Sequence, residues 1–156
     1  ISRDIKHSII PYLDELDDLA REIQSVNTVI VRKHGLHLKL KGYNSDALGF
    51  EIAIRSGMDK SSVQVKTAVC YGYGGVTSVV TSVLQRMGIT VYLIGRNRDT
   101  AATRAKELNV ELWAGQSVDL FVNATPATET PLDQAANLLP ALQHCKIAFD
   151  HEMPGK

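Results

Sequence analysis

The chain has 156 residues, 44% hydrophobic and 22% charged, with 17 basic side chains against 17 acidic ones. That length makes one ordinary domain or a domain plus part of another, and the apolar content is enough for a core and too high for wholesale disorder. Zero net charge leaves no basic field to hold nucleic acid or an anionic membrane surface. No apolar run approaches the ~20 residues of a membrane span, and the first residues read without a signal-peptide pattern.

Residues 8–24 carry Ile9, Leu13, Leu16, Ala20 and Ile23 at helical spacing, which predicts one helix with Pro11 in its first turn. Ser25 to Ile30 reads as a strand. Lys33-His34-Gly35 reads as a turn, and Leu36 to Leu40 as the second arm of a hairpin. A helix is expected from Ser45 to Arg55, ended by Gly57, with Asp59-Lys60-Ser61-Ser62 as a linker. Beyond it strands and helices alternate. Strands are expected at Thr67–Tyr71, Ile89–Ile94, Asp119–Asn123 and Lys146–Phe149. Helices are expected from Gly74-Gly75 to about Met87, from Thr100 to Leu108 and from Leu132 to Leu139. This alternation predicts an α/β fold, with right-handed crossovers and a parallel sheet covered on both faces. Cys70 and Cys145 each lie in an apolar run that reads as a buried strand; two thiols without metal spacing suggest a reducing, cytoplasmic compartment. The five histidines, His7, His34, His37, His144 and His151, show no metal spacing, and Trp113 reads as packing. Beginning at Ile1 and stopping at Pro154-Gly155-Lys156 straight after a strand-like run, the chain is expected to be an internal piece of a longer protein.

The turn Gly72-Tyr73-Gly74-Gly75-Val76-Thr77 follows a predicted strand and opens a predicted helix, the context that gives a dinucleotide-type glycine pattern its meaning. Gly72 permits the tight turn, Gly74 lets backbone approach a pyrophosphate, and the helix start holds the anion. Thr77 stands where a third glycine often is, which predicts looser helix–strand packing. Dinucleotide sites for NAD place an acid after the next strand, to hold the ribose 2′-OH. Here Ile94-Gly95-Arg96-Asn97-Arg98 brings two arginines instead, and guanidinium groups suit a 2′-phosphate, so NADP is favoured over NAD. The competing reading makes the turn a plain one and the arginines solvated loop charges.

Taken in order, these segments resemble the shikimate dehydrogenase family over nearly the whole chain. Ile1-Ser2-Arg3-Asp4-Ile5-Lys6 is similar to its V-T-x-P-[FY]-K, Val26-Asn27-Thr28-Val29 to its A-V-N-T, and Gly42-Tyr43-Asn44-Ser45-Asp46-Ala47-Leu48-Gly49-Phe50 to its G-x-N-T-D-x-x-G-F. Gly72-Tyr73-Gly74-Gly75 resembles its G-x-G-G turn and Arg96-Asn97-Arg98 its NADP-reading loop. Asp119 to Pro126 resembles its D-L-[IV]-[IV]-N-A-T-P, and Phe149-Asp150 with Met153-Pro154 its late strand. The resemblance implies a two-domain NADPH-dependent reductase of 3-dehydroshikimate with a cleft between the domains. Residues 1–45 would belong to the substrate-binding domain, 46–60 to a connecting helix and linker, and 61–156 to a Rossmann-type NADP-binding domain. It implies Lys6 as catalytic lysine, Asp46 as its carboxylate partner and a substrate ligand, and Ser2 and Asn27 as further substrate ligands. NADP would be held by Gly72, Gly74, Gly75, Val76, Arg96, Asn97, Arg98, Asn123, Ala124 and Thr125. The chemistry agrees: reduction of a ketone puts negative charge on oxygen, which a nearby ammonium can stabilise and protonate.

Departures are visible too. Asp4 stands at the family's proline position, where it loosens the loop and adds a charge within reach of Lys6. Ala127-Thr128-Glu129 replaces the family's x-G-M, and His151-Glu152 precedes Met153-Pro154 where the family often has a tyrosine. They motivate an alternative, a non-catalytic nucleotide- or metabolite-binding relative. A third reading is another Rossmann reductase of methylene-tetrahydrofolate or glutamyl-tRNA type; Lys6 with Asn44 and Asp46 suits a polyhydroxy ring acid better. A small-molecule partner is expected, shikimate or quinate, and the sequence leaves the two, and the oligomeric state, open.

Overall fold

The computed structural model describes residues 5–125 and 139–151, and the chain divides into two compact units, residues 1–50 and 51–156. In the first unit the expected helix over 8–24 is broken. A short helix α1 (Ile5–Ser8), a 3-10 turn (Ile10–Tyr12), a two-residue strand β1 (Glu15–Leu16) and a helix α2 (Asp18–Ile23) take its place. Two aspartates account for the break. Asp14 accepts the Leu40 N–H at 2.7 Å and donates its own N–H to the Leu40 carbonyl at 3.0 Å, which draws Glu15–Leu16 into a sheet. Asp17 caps α2 by accepting the Ala20 N–H at 2.8 Å. Short carboxylate side chains that bond nearby backbone favour caps and turns over helix interiors. Pro11 lies in the 3-10 turn, and the apolar periodicity survives only as the buried face Leu19, Ala20 and Ile23 of α2.

The hairpin forms slightly later in the chain than expected, from β2 (Thr28–His34) and β3 (His37–Tyr43), with His34 opposite His37. β1 runs parallel to β3 on its other side. Gly42 near the end of β3 is glycine for want of space: a Cβ there would stand 2.6 Å from Leu13 and 2.9 Å from Val26.

Helix α3 (Ser45–Ser61) runs through Gly57, and the expected linker is its last turn. One interior glycine costs about 1 kcal/mol against alanine, too little to end a helix that has a better stop four residues on. That stop is a Schellman cap. Ser62 adopts φ 54°, its N–H reaches the Asp59 carbonyl at 3.3 Å, and the Val63 N–H reaches the Met58 carbonyl at 3.1 Å. The boundary between the two units falls within α3.

The second unit is the expected alternation: β4 (Thr67–Tyr71), α4 (Gly75–Arg86), β5 (Thr90–Ile94), α5 (Arg98–Glu107), β6 (Glu111–Leu112), β7 (Leu120–Asn123), α6 (Leu139–His144) and β8 (Ile147–Asp150). The five strands form one parallel sheet in the order β6-β5-β4-β7-β8. β6 escaped the sequence because two residues carry no periodicity. The helix expected over Leu132–Leu139 lies outside the described residues apart from Leu139, where α6 starts. Central β4 is buried from Ala68 to Tyr71, Ala68, Val69 and Cys70 fully, so both sheet faces are covered there. On one face Val69 and Tyr71 pack with Val118, Phe121 and Ala141. Thr77 is completely buried, so its replacement of a glycine does not loosen the packing of α4. Burial pushes the Cys70 thiol up to about 12 and makes it inert. Cys145 lies between α6 and β8, half-buried and outside any strand, contrary to the expectation.

Asp119 fastens the N-terminal edge of this sheet. Its carboxylate accepts from the Lys66 N–H at 2.9 Å, the Thr67 N–H at 3.1 Å, the Thr67 hydroxyl at 3.2 Å and the Lys146 ammonium at 2.8 Å. The Lys146 ammonium, with the two backbone donors, lowers its pKa to about 2.

Candidate functional site

In the first unit, Lys6 and Asp46 meet: Nζ donates to Oδ2 at 2.8 Å, with 28% and 41% of the two side chains exposed. Backbone places each partner. The Val26 N–H holds the Lys6 carbonyl at 2.9 Å, and the Asn27 N–H holds the Tyr43 carbonyl at 3.0 Å, so α1 and the end of β3 attach to one segment. Asp46 lies in the first turn of α3, but the cap is Asn44. Asn44 is buried, accepts the Ala47 N–H at 3.1 Å and donates to the Ser25 carbonyl at 3.0 Å. With that duty taken by Asn44, the Asp46 carboxylate pairs with Lys6 instead. Asn27 joins from the other side. Its Oδ1 accepts from the Ser45 N–H at 2.8 Å, the Ser45 hydroxyl at 3.1 Å and the Thr28 hydroxyl at 2.9 Å. Asn44 and Ser45 therefore build the surroundings of the pair; the sequence reading set Asn44 beside Lys6 and Asp46 without this capping duty and gave Ser45 no duty. Their signal was an asparagine directly before a helix start. Ser2 and Asp4 lie outside the described residues.

In the second unit, the candidate nucleotide residues converge on the C-terminal edge of the sheet. Tyr71 pairs with Ile94 on one side and Asn123 on the other, so the segments beginning at Gly72, Gly95 and Ala124 emerge side by side. The chain runs outward from β4 through β5 to β6 and returns to β7 on the far side of β4. That reversal is a topological switch point, where open parallel sheets bind ligands. Gly72 holds φ 125°, a region that favours glycine, and a Cβ there would stand 2.9 Å from Thr125 Cγ2. The Gly72 N–H bonds the Ile94 carbonyl at 2.9 Å and the Ala124 N–H bonds the Tyr71 carbonyl at 2.8 Å, which ties the three segments together.

Gly74 caps α4 in extended backbone and Gly75 opens it; a Cβ at either would meet nothing within 4 Å. The space over the start of α4 is thus open to a ligand, and the first helical turn offers N–H groups and the positive dipole end. Val76 is half-buried in that turn. Arg96 and Arg98 are exposed at the end of β5, with Arg98 as the first residue of α5. Asn97 has a structural duty, capping α5 by accepting the Thr100 N–H at 2.9 Å. Asn123 closes a tight turn, its Oδ1 accepting from the Thr125 N–H at 3.1 Å and hydroxyl at 2.7 Å, while its amide donates to Asp150 at 3.2 Å. An open helix start between a positive-φ glycine and two exposed guanidinium groups fits a phosphorylated dinucleotide. No group of three or more His, Cys, Asp or Glu among the described residues is placed to hold a metal ion. No described helix is long and apolar enough to cross a membrane.

No family model matches the chain. Among curated proteins, the shikimate dehydrogenase (NADP(+)) of Halothermothrix orenii is 37% identical over 151 residues, covering 93% of this chain and 45% of that protein. The chain is a homologue of shikimate dehydrogenases. It spans about half the length of the curated relatives it matches. Among solved structures, shikimate dehydrogenase from Aquifex aeolicus superimposes with a TM-score of 0.68 at 27% identity, over 96% of this chain and 64% of that one. The enzyme from Thermus thermophilus, solved with NADP(H) and shikimate, gives 0.63 at 29% identity over 80% of this chain and 46% of that one. These likenesses agree with the resemblance read from the motifs and with the expected parallel α/β fold.

Proposed function

We propose that the whole protein is an NADP-dependent oxidoreductase that interconverts 3-dehydroshikimate and shikimate, or a related cyclic hydroxy acid such as quinate, in the cytoplasm. The observation that carries this reading is the Lys6–Asp46 pair at 2.8 Å, held in an α/β unit of a shikimate dehydrogenase homologue. Residues 1–45 belong to the substrate-binding domain, 46–60 connect, and 61–156 bind the nucleotide. When bound, NADPH supplies a hydride to the carbonyl carbon. The Lys6 ammonium stabilises the negative charge that forms on the carbonyl oxygen and donates the proton that completes the hydroxyl. Its partial exposure lets it regain a proton from solvent. Asp46 orients the ammonium and accepts from a substrate hydroxyl; Asn27 and Ser2 hold others. Gly72, Gly74, Gly75 and Val76 receive the pyrophosphate, Arg96, Asn97 and Arg98 the 2′-phosphate end, and Asn123, Ala124 and Thr125 the neighbouring edge of the same ligand.

The test is reduction of NADP⁺ by the whole protein with shikimate and with quinate, with NAD⁺ in parallel. Turnover with NADP⁺ and one of the two acids is expected. NADP⁺ binding without turnover on either acid would overturn the catalytic assignment and leave a non-catalytic binding relative, the reading that Asp4 favours.

A further inference from the structure

Tyr73 stands between Gly72 and Gly74 of the glycine turn. Its ring is half-buried and lies on the backbone of Gly95: a Cβ built there would stand 2.5 Å from Tyr73 Cδ1 and 2.7 Å from Cε1. No side chain fits in that gap, so Gly95 is glycine because the ring occupies its Cβ space. Ala101 of α5 lies 3.5 Å from the same point, which makes the ring, Gly95 and the first turn of α5 one packed unit. Arg96 follows Gly95 directly, and Arg98 opens α5. On its outer side Tyr73 lines a surface cavity of about 420 Å³ with Asp99, Thr100, Thr103, Arg104 and Glu107 of α5. Arg104 bonds the Ser78 hydroxyl of α4, so the two helices are fastened beside the ring. One aromatic side chain from the pyrophosphate turn thereby braces the loop that carries both exposed guanidinium groups.

We infer that Tyr73 is the positioning residue that sets the preference of this site for a 2′-phosphorylated dinucleotide over its unphosphorylated counterpart, an inference that rests on the NADP reading above. Both nucleotides share the pyrophosphate that the glycine turn receives. Only the phosphorylated one uses Arg96 and Arg98. Long exposed side chains on an unbraced loop must be ordered when the ligand binds, and that cost falls on the contacts they make. Bracing Gly95 reduces it for the 2′-phosphate and leaves the shared contacts as they were. The phenolic hydroxyl has no part in this; the flat ring does.

The experiment is calorimetric titration of the whole protein with NADP⁺ and with NAD⁺. Tyr73→Ala is expected to weaken NADP⁺ by about tenfold, the loss of roughly one well-oriented charge-assisted contact, and NAD⁺ by less than about twofold. Tyr73→Phe is expected to restore the wild-type ratio of the two affinities. Gly95→Ala, which displaces the ring from the other side, is expected to give the same selective loss. Tyr73→Leu carries the test if Tyr73→Ala fails to fold. An unchanged affinity ratio, or an equal loss for both nucleotides, would overturn the inference while Arg96→Ala still abolished the preference. A wild-type protein without preference for NADP⁺, or an Arg96→Ala variant that kept it, would instead overturn the NADP reading and the inference with it.

Discussion

Among the described residues, two lysine–carboxylate pairs share a 2.8 Å separation, Lys6–Asp46 in the first unit and Lys146–Asp119 in the second. Their surroundings differ. Asp119 is 17% exposed; its Oδ1 takes the ammonium while its Oδ2 also accepts two backbone N–H groups and a hydroxyl. Those donors belong to the start of β4, and Lys146 precedes β8, so the carboxylate joins three parts of the sheet at its N-terminal edge. Asp46 is 41% exposed, sits on a helix whose capping is done by Asn44, and faces a lysine that is itself reachable by water. The ion-pair distance therefore does not identify the use of a pair. What marks Asp119 as structural is that the backbone at the start of β4 depends on its carboxylate as well.

The largest effect that comparison predicts is on turnover. Lys6→Ala should lower kcat by about 10²–10⁴, the range for removing a positioned proton donor. NADP⁺ affinity and the urea midpoint should stay near wild type. A variant that lost cofactor affinity and kept turnover would remove Lys6 from the chemistry and erase the contrast.

Next comes its mirror image. Asp119→Ala should cost about 2–4 kcal/mol of stability, because it strands two backbone donors and the lysine together. Urea unfolding of the two variants side by side reads this directly. If Asp119→Ala melted like wild type and turned over slowly, the two pairs would have exchanged roles.

Much of this was legible beforehand, and the gaps have physical reasons. β4 was read to the residue because a short apolar run bounded by Lys66 and Gly72 leaves little choice. The glycine turn is legible from its strand-before, helix-after context, while Lys6 and Asp46 are candidates only through motif order, since neither charge is distinguishable from an ordinary surface residue alone. The helix over 8–24 failed because periodicity sees apolar spacing and is blind to Asp14 and Asp17, whose bonds to Leu40 and Ala20 outweigh it. Gly57 misled because a glycine within a helix and one ending it look alike until the cap at Ser62 is known. Tyr73 and Asp119 stand inside recognised motifs, yet their roles are not legible there for one reason: a role created by residues twenty or fifty positions away leaves no local pattern.

The smallest predicted effect tests the charge on Asp119 apart from its hydrogen bonds. Its carboxyl is held to about 2 in the folded chain against an ordinary 3.8, chiefly by the Lys146 ammonium and then by the Lys66 N–H. A folded value below the unfolded one stabilises wherever the unfolded chain is ionised. The contribution is therefore complete well above pH 3.8, declines as pH falls from there, and is gone below the folded value of about 2. It amounts to at most about 2 kcal/mol, less what solvent screens at the exposed Lys146. Asp119→Asn keeps an acceptor for the backbone and removes the charge. The stability gap between wild type and Asp119→Asn, measured by urea at neutral pH and at steps toward pH 2, should close over the acid range. A gap that stayed constant would make Asp119 a hydrogen-bond acceptor whose charge is idle, and the ammonium of Lys146 expendable.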